Sequence, residues 1–141
     1  MGKRVVLKQN PPLTTCVGCR TCELACSFKH YTTFNPKKSR IHIAQKGHAI
    51  NFPVVCAQCS KAPCMDVCAT KAIVRDSKTN AVVIREELCD GCGACIASCP
   101  FKAIFMHPEK NIAIKCDLCD GDPACVKHCP QRVLYYVDVG A

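Results

Sequence analysis

Apolar and polar positions along the chain fall into short blocks, and three stretches share one layout, two apolar runs around a polar turn. KAIVRDSKTNAVVIREEL (71–88) sets AIV and AVVI on either side of DSKTN. AIFMHPEKNIAIK (103–115) does the same about HPEKN, and SRIHIAQKGHAINFPVV (39–55) about QKGH. Such runs bounded by Asp, Asn, Gly and Pro predict β-hairpins. RVLYYVDV (132–139) reads as a further apolar strand, with Tyr135 and Tyr136 expected in the core.

Between these blocks lie sixteen cysteines in four groups. The groups are Cys16, Cys19, Cys22, Cys26; Cys56, Cys59, Cys64, Cys68; Cys89, Cys92, Cys95, Cys99; and Cys116, Cys119, Cys125, Cys129. CATKAI (68–73), CPFKAI (99–104) and CPQRVL (129–134) add a basic residue three places after the last cysteine and an aliphatic one five places after. The repeated unit is therefore a thiol-rich loop, a short helical turn carrying the last cysteine, and the start of a strand. Gaps of 16 to 29 residues between groups leave room only for short helices. The predicted fold class is α+β, built from paired β-ribbons and brief helices that hold loops.

The totals change this picture in three ways. Cysteine at sixteen of 141 residues is far outside ordinary usage, whereas Trp is absent and aromatics make up 6%. An aromatic-rich core is excluded, so something else must fill the interior. Disulfide scaffolds belong to secreted proteins, but MGKRVVLKQNPPLTTC has no h-region and no twin-arginine pair, and no apolar run approaches a membrane span. The expectation is a soluble, cytoplasmic and anaerobic protein whose thiols bind metal. The formal charge of +8 treats every cysteine as neutral, and the basic residues form no block beyond Lys37, Lys38, Arg40 and Lys46. Nucleic acid is not an expected partner.

The spacing points to a particular metal centre. A zinc site draws on two Cys pairs with a stretch between them. In CDGCGACIASCP (89–100) the third cysteine follows the second after two residues, and the fourth after three more. That is the C-x2-C-x2-C-x3-C-P run of two-cluster ferredoxins, whose fourth cysteine ligates the other cluster. CAQCSKAPC and CDLCDGDPAC widen the middle gap, each with a proline (Pro63, Pro123) before the third cysteine. Gly18, Gly91, Gly93 and Gly121 suit a backbone that wraps closely around sulfur. Pro100 and Pro130 read equally as helix breakers and as part of the ferredoxin signature. Sixteen ligands imply four [4Fe–4S] clusters, and four clusters at about −2 each would offset the charge. Ile73, Ile104 and Leu134 would pack around the inorganic cores.

On these motifs the chain resembles the four-cluster electron-transfer subunits of the dimethyl sulfoxide reductase and formate dehydrogenase type. CDLCDGDPACVKHCP and CAQCSKAPCMDVC are close to that family's fourth and second groups. CVGCRTCELACSFKH (16–30) is similar to the small iron–sulfur subunits of tungsten aldehyde oxidoreductases and benzoyl-CoA reductases. The resemblance implies two interleaved, bacterial-ferredoxin-like two-cluster modules related by a pseudo-twofold, within one unit spanning 1–141. Module A takes 1–55 plus 105–141 and module B takes 56–104. It implies cluster 1 on Cys16, Cys19, Cys22 and Cys129, and cluster 2 on Cys116, Cys119, Cys125 and Cys26. Cluster 3 falls on Cys56, Cys59, Cys64 and Cys99, and cluster 4 on Cys89, Cys92, Cys95 and Cys68. The 20-residue gap between groups two and three suits one module, although a sequential pairing of groups stays open. The chain departs from the family at Gln58, where many members carry His, and at Ala69, where many carry Pro. No ligand position is Trp.

No other constellation competes. G-x-G-x-x-G, P-loop and flavin motifs are absent. His30, His42, His48, His107 and His128 are scattered and read as surface or packing residues; Asp117, Asp120 and Asp122 belong to a ferredoxin loop. The expected function is non-catalytic: an electron-transfer subunit linking a catalytic tungsten- or molybdenum-pterin subunit to a flavin or ferredoxin partner. The alternatives are a free polyferredoxin, a subunit serving a hydrogenase or carbon monoxide dehydrogenase, and a zinc or nucleic-acid-binding module. NPPL (10–13) and YYVDV (135–139) are the candidate docking segments.

Overall fold

The computed structural model describes residues 3–8, 15–47 and 50–138. Chain order is β1 (Lys3–Leu7), α1 (Thr21–Tyr31), β2 (His42–Lys46), β3 (Ile50–Val54), α2 (Pro63–Asp66) and β4 (Ile73–Arg75). Then come β5 (Val82–Ile84), α3 (Ala94–Ser98), β6 (Ile104–Met106), β7 (Ala113–Lys115), α4 (Ala124–His128) and β8 (Leu134–Asp138). Three of the sheets are the hairpins the apolar blocks predict: β2–β3, β4–β5 and β6–β7, all antiparallel. The fourth joins β1 to β8 across almost the whole chain, with Val5 opposite Tyr136 and Leu7 opposite Leu134.

The helices follow the cysteine spacing. α2, α3 and α4 have four or five residues, and each carries the third cysteine of its group, with the fourth at or just past its C-terminal end. This corrects the expectation that the turn carries the last cysteine. α1 has eleven residues and carries both Cys22 and Cys26. It runs on until Thr32 turns left-handed at φ 57 and donates its N–H to the Phe28 carbonyl at 2.8 Å. α1 lies against α4, and α2 against α3.

Two apolar clusters make the interior, and cysteines belong to both. Cys22, Cys26, Cys56, Cys116 and Cys125 sit with Val5, Ile41, Ile43, Leu118 and Leu134. Cys64 and Cys95 sit with Ile73, Val82, Ile104 and Ala113, and Cys99 touches both clusters. One buried acid organises the first cluster. Glu23 is 1% exposed, accepts the Ile43 N–H at 3.0 Å and pairs with Arg20 at 3.1 Å, fixing β2 to α1.

Candidate metal centres

Each cysteine loop is shaped by one backbone device. The residue before the second cysteine takes the left-handed conformation in all four groups: Gly18 (φ 70), Gln58 (φ 52), Gly91 (φ 78) and Leu118 (φ 61). Glycine occupies two of these positions at no steric cost. A Cβ at Gly91 would meet the Asn111 carbonyl oxygen at 2.5 Å. Gln58 and Leu118 bear the left-handed strain, of order 1–2 kcal/mol, and use the side chain that glycine lacks. Leu118 is wholly buried, and Gln58 bonds outward from its loop at both ends of its amide. The basic residue three places after the last cysteine is also left-handed, at Lys71 (φ 58), Lys102 (φ 52) and Arg132 (φ 53). Each donates its N–H back to that cysteine's carbonyl. At Lys71 and Lys102 the reversal aims the next N–H at sulfur, Ala72 to Cys68 Sγ at 3.3 Å and Ala103 to Cys99 Sγ at 3.4 Å.

The loops bring the thiols into sets drawn from two groups. One cavity is lined by Cys16, Cys19, Cys22 and Cys129, with Leu134 on its wall. A second is lined by Cys56, Cys59, Cys64 and Cys99, with Ile104 and Lys115. A third is lined by Cys68, Cys89, Cys92 and Cys95, with Ile73. In the remaining set, the Cys125 thiol is pushed up first by burial and then by Cys116, Cys26 and Cys119. None of the sixteen cysteines is in a disulfide.

The surroundings suit bound metal and not nucleophilic chemistry. Burial pushes the Cys22 and Cys116 thiols up to about 12, and those of Cys95 and Cys119 to about 11. Thiols that hold their protons this firmly are poor nucleophiles; a multivalent cation centre supplies the missing counter-charge. Backbone N–H groups already point at sulfur. Gln58 donates to Cys56 (3.3 Å), Leu118 to Cys116 (3.4 Å), Ala113 to Cys89 (3.4 Å) and Arg40 to Cys26 (3.2 Å). These bonds favour thiolate over thiol, and the donor set of four sulfurs per cavity fits a [4Fe–4S] core.

Charged side chains that the sequence left unassigned stand behind the ligands. His30 Nε2 bonds Asp117 Oδ1 at 2.9 Å, and its Nδ1 lies 2.8 Å from the Cys26 carbonyl and 3.7 Å from Cys26 Sγ. Burial opposes the imidazolium, but the bonds to Asp117 and Cys26 outweigh it and set the His30 pKa at about 9. Arg40, mostly buried, pairs with Asp117 at 3.3 Å. Burial alone would raise the Asp117 carboxyl; His30 and Arg40 hold it well below the usual carboxylate range. His30, Asp117 and Cys119 offer ligand atoms within 4.8 Å of one another, a grouping the His30–Asp117 ion pair accounts for. Asp117 is thus more than a loop residue, and His30 more than packing.

Lys115 is the least expected of these. It is 1% exposed at the end of β7, where all three residues are buried. Its Nζ donates to the Val82 carbonyl and, at 3.1 Å, to the Cys116 carbonyl. Among the described residues no carboxylate lies within ion-pair distance of it. In the sequence it closes a short apolar run, IAIK, where the bland expectation is a solvated end; only the packing of β5 against β7 buries it. The docking segments fare unevenly. Residues 10–13 lie outside those described, and Tyr135 is 45% exposed, which corrects its placement in the core; Tyr136 is half-buried. Phe28 and Phe34 form a further exposed apolar surface, stacked at 4.8 Å.

Comparison with known proteins agrees with this chemistry. Residues 48–139 match the family described as the 4Fe-4S dicluster domain. The polyferredoxin-like subunit of aliphatic sulfonate oxidoreductase from Pyrococcus furiosus is 44% identical over 101 residues, 72% of this chain and 58% of that one. Electron transport protein HydN of Escherichia coli is 41% identical over 99 residues, covering 63% and 53% of the two chains. Protein NrfC of the same species is 37% identical over 109 residues, covering 72% and 48%. The chain thus spans about half the length of these relatives. Among solved structures, the active-site complex BamBC of benzoyl-CoA reductase with zinc aligns at TM-score 0.54 and 27% identity, over 99% of this chain and 81% of that one. The complex with benzoyl-CoA gives 0.51 and 30%, over 96% and 81%. Among the described residues, no helix is long and apolar enough to cross a membrane. With its thiols gathered in fours and two thirds of its length matched, the chain belongs to the 4Fe-4S dicluster domain family of iron–sulfur proteins.

Proposed function

We propose that this chain is the electron-transfer subunit of an oxidoreductase complex and holds four [4Fe–4S] clusters. The observation that carries the proposal is the composition of the three cavities. Each is lined by three cysteines of one group and the closing cysteine of another. This supports the ligand sets expected from the family resemblance, with Cys26, Cys116, Cys119 and Cys125 as the fourth. The packing of α1 on α4 and of α2 on α3 supports modules built from groups one and four and from groups two and three.

A [4Fe–4S] cluster bound in each cavity would supply one-electron transfer at low reorganisation cost. The chain's own residues exclude water with Ile73, Ile104 and Leu134, aim N–H groups at sulfur, and offset cluster charge with nineteen Lys and Arg against eleven Asp and Glu. No polar constellation outside the cysteine cavities is arranged for catalysis among the described residues. The electrons must therefore serve chemistry on another chain. Relatives named as subunits of sulfonate oxidoreductase and of benzoyl-CoA reductase support such a partner. A pterin-bound tungsten or molybdenum centre follows from the resemblance of residues 16–30.

The test is metal analysis of the tagged chain purified without oxygen. About sixteen iron per chain is expected, with stoichiometric tungsten or molybdenum in whatever copurifies. The same iron without a second metal favours a free carrier, and zinc in place of iron refutes the proposal. Double substitutions test the sets. Cys64→Ser with Cys99→Ser should remove about four iron, because both serve one cavity, and Cys95→Ser with Cys99→Ser about eight. Equal losses from both pairs would sink the cross-group assignment.

A further inference from the structure

The Lys115 ammonium sits where the two halves of the proposed wire meet. It lines the cavity of Cys56, Cys59, Cys64 and Cys99. It also donates to the carbonyl of Cys116, whose thiol lies close enough to those of Cys56 and Cys26 to act on them electrostatically. Its other acceptor, the Val82 carbonyl, faces away from the β4–β5 ladder. Asp76 donates to Ala81 and Arg85 to Ala72 in that hairpin, so Val82 falls at a position without ladder bonds. The Val82 N–H points the same way and is taken by Gln58 Oε1 at 2.8 Å, while Gln58 Nε2 donates to the Cys116 carbonyl at 2.9 Å. Lys115 and Gln58 thus stitch β5 to the fourth cysteine group.

A buried ammonium whose acceptors are both carbonyls has no carboxylate counter-charge among the described residues. Anionic centres on either side would supply it, and an added electron would be stabilised most where that cation is nearest. The exposed lysines, by contrast, act through water and are screened.

We propose that Lys115 is a tuning residue, a fixed positive charge that raises the reduction potential of the two clusters flanking it. These are the cluster of Cys56, Cys59, Cys64 and Cys99 and that of Cys26, Cys116, Cys119 and Cys125. The junction between modules is then where an electron entering the chain comes to rest. The proposal rests on the four-cluster function above.

Potentiometric titration of the iron-loaded chain, followed by electron paramagnetic resonance, tests it. The two junction signals are identified as those lost in Cys64→Ser and in Cys125→Ser. Lys115→Gln keeps a hydrogen-bond donor and removes the charge. At the wild-type midpoint it should lower the reduced-to-oxidised ratio of both junction clusters tenfold or more, a downward shift of about 59 mV or more. The other two clusters should stay in place, and Lys115→Arg should restore the first pair. A fully loaded Lys115→Gln protein with unmoved potentials overturns the inference, as does an equal shift of all four. If both variants lose iron, the wild-type protein decides: its two junction signals must be the first to appear on reduction, and their appearance after the other two refutes the role. A wild-type chain without iron would sink the four-cluster function itself; loaded protein with unmoved potentials sinks only the role of Lys115.

Discussion

Replacing Gln58 by leucine isolates the contribution of one side chain to the junction between cysteine groups. The shape is nearly conserved and the left-handed backbone cost at φ 52 is unchanged, because leucine and glutamine pay it alike. What is lost is hydrogen bonding. Gln58 is 5% exposed, so the Val82 N–H that it satisfies at 2.8 Å would be left buried without an acceptor. That costs about 1–3 kcal/mol. The Cys116 carbonyl loses the Gln58 donor at 2.9 Å but keeps Lys115 at 3.1 Å, which limits its share to about 1 kcal/mol. The sum is about 2–4 kcal/mol, or about 30-fold to several hundred-fold in the equilibrium for opening this region. Iron-loaded wild-type and variant proteins should therefore be compared by native-state hydrogen exchange at equal loading, following the ladder amides of Asp76 and Arg85. Protection should fall by that factor there and much less in the β1–β8 sheet, which Gln58 does not touch. A change below about threefold would refute the assignment of Gln58 as the bond between β5 and the fourth cysteine group.

Three further outcomes are expected. Gly91→Ala drives a Cβ to 2.5 Å from the Asn111 backbone at φ 78, whereas a Cβ at Gly93 meets nothing within 4 Å. Gly91→Ala should cost about 2–4 kcal/mol and shed iron from the neighbouring cavity, and Gly93→Ala only the left-handed penalty of about 1 kcal/mol, read by iron content and anaerobic denaturation. Arg40→Met strips the part-buried Asp117 of one of its two cationic partners at 3.3 Å, leaving His30, and should destabilise by about 1–3 kcal/mol, less in the double variant with Asp117→Asn; equal costs would argue against coupling. Chelation of iron from the reduced protein should collapse the helical far-ultraviolet signal together with the visible absorbance, since at least seven of the sixteen thiols are core residues. A folded apoprotein would contradict this.

Local features were legible in the sequence wherever one residue type suffices to specify them. The grouping of the sixteen cysteines and the three hairpins needed only cysteine spacing and apolar blocks around polar turns. The β1–β8 pairing was not legible, because VVL is too short a run to announce a strand and its partner lies over 120 residues away. The left-handed position before the second cysteine shows as glycine at Gly18 and Gly91 but hides at Gln58 and Leu118, where tertiary contacts outweigh backbone preference. Lys115 and Glu23 were hidden for a related reason. Nothing local distinguishes a buried charge from a solvated one, and only the packing of β7 on β5 and of β2 on α1 decides their burial.

The pairing of β1 with β8 has a consequence for biosynthesis. A ribosome releases the chain from its N-terminal side, so the cavity lined by Cys16, Cys19, Cys22 and Cys129 has three of its walls waiting for more than one hundred residues. The two cavities lined within residues 56–115 close earlier and without that strand. Closure of the cavities is thereby given an order in time: the inner pair first, and the one that needs Cys129 and Leu134 only as β8 comes to pair with β1.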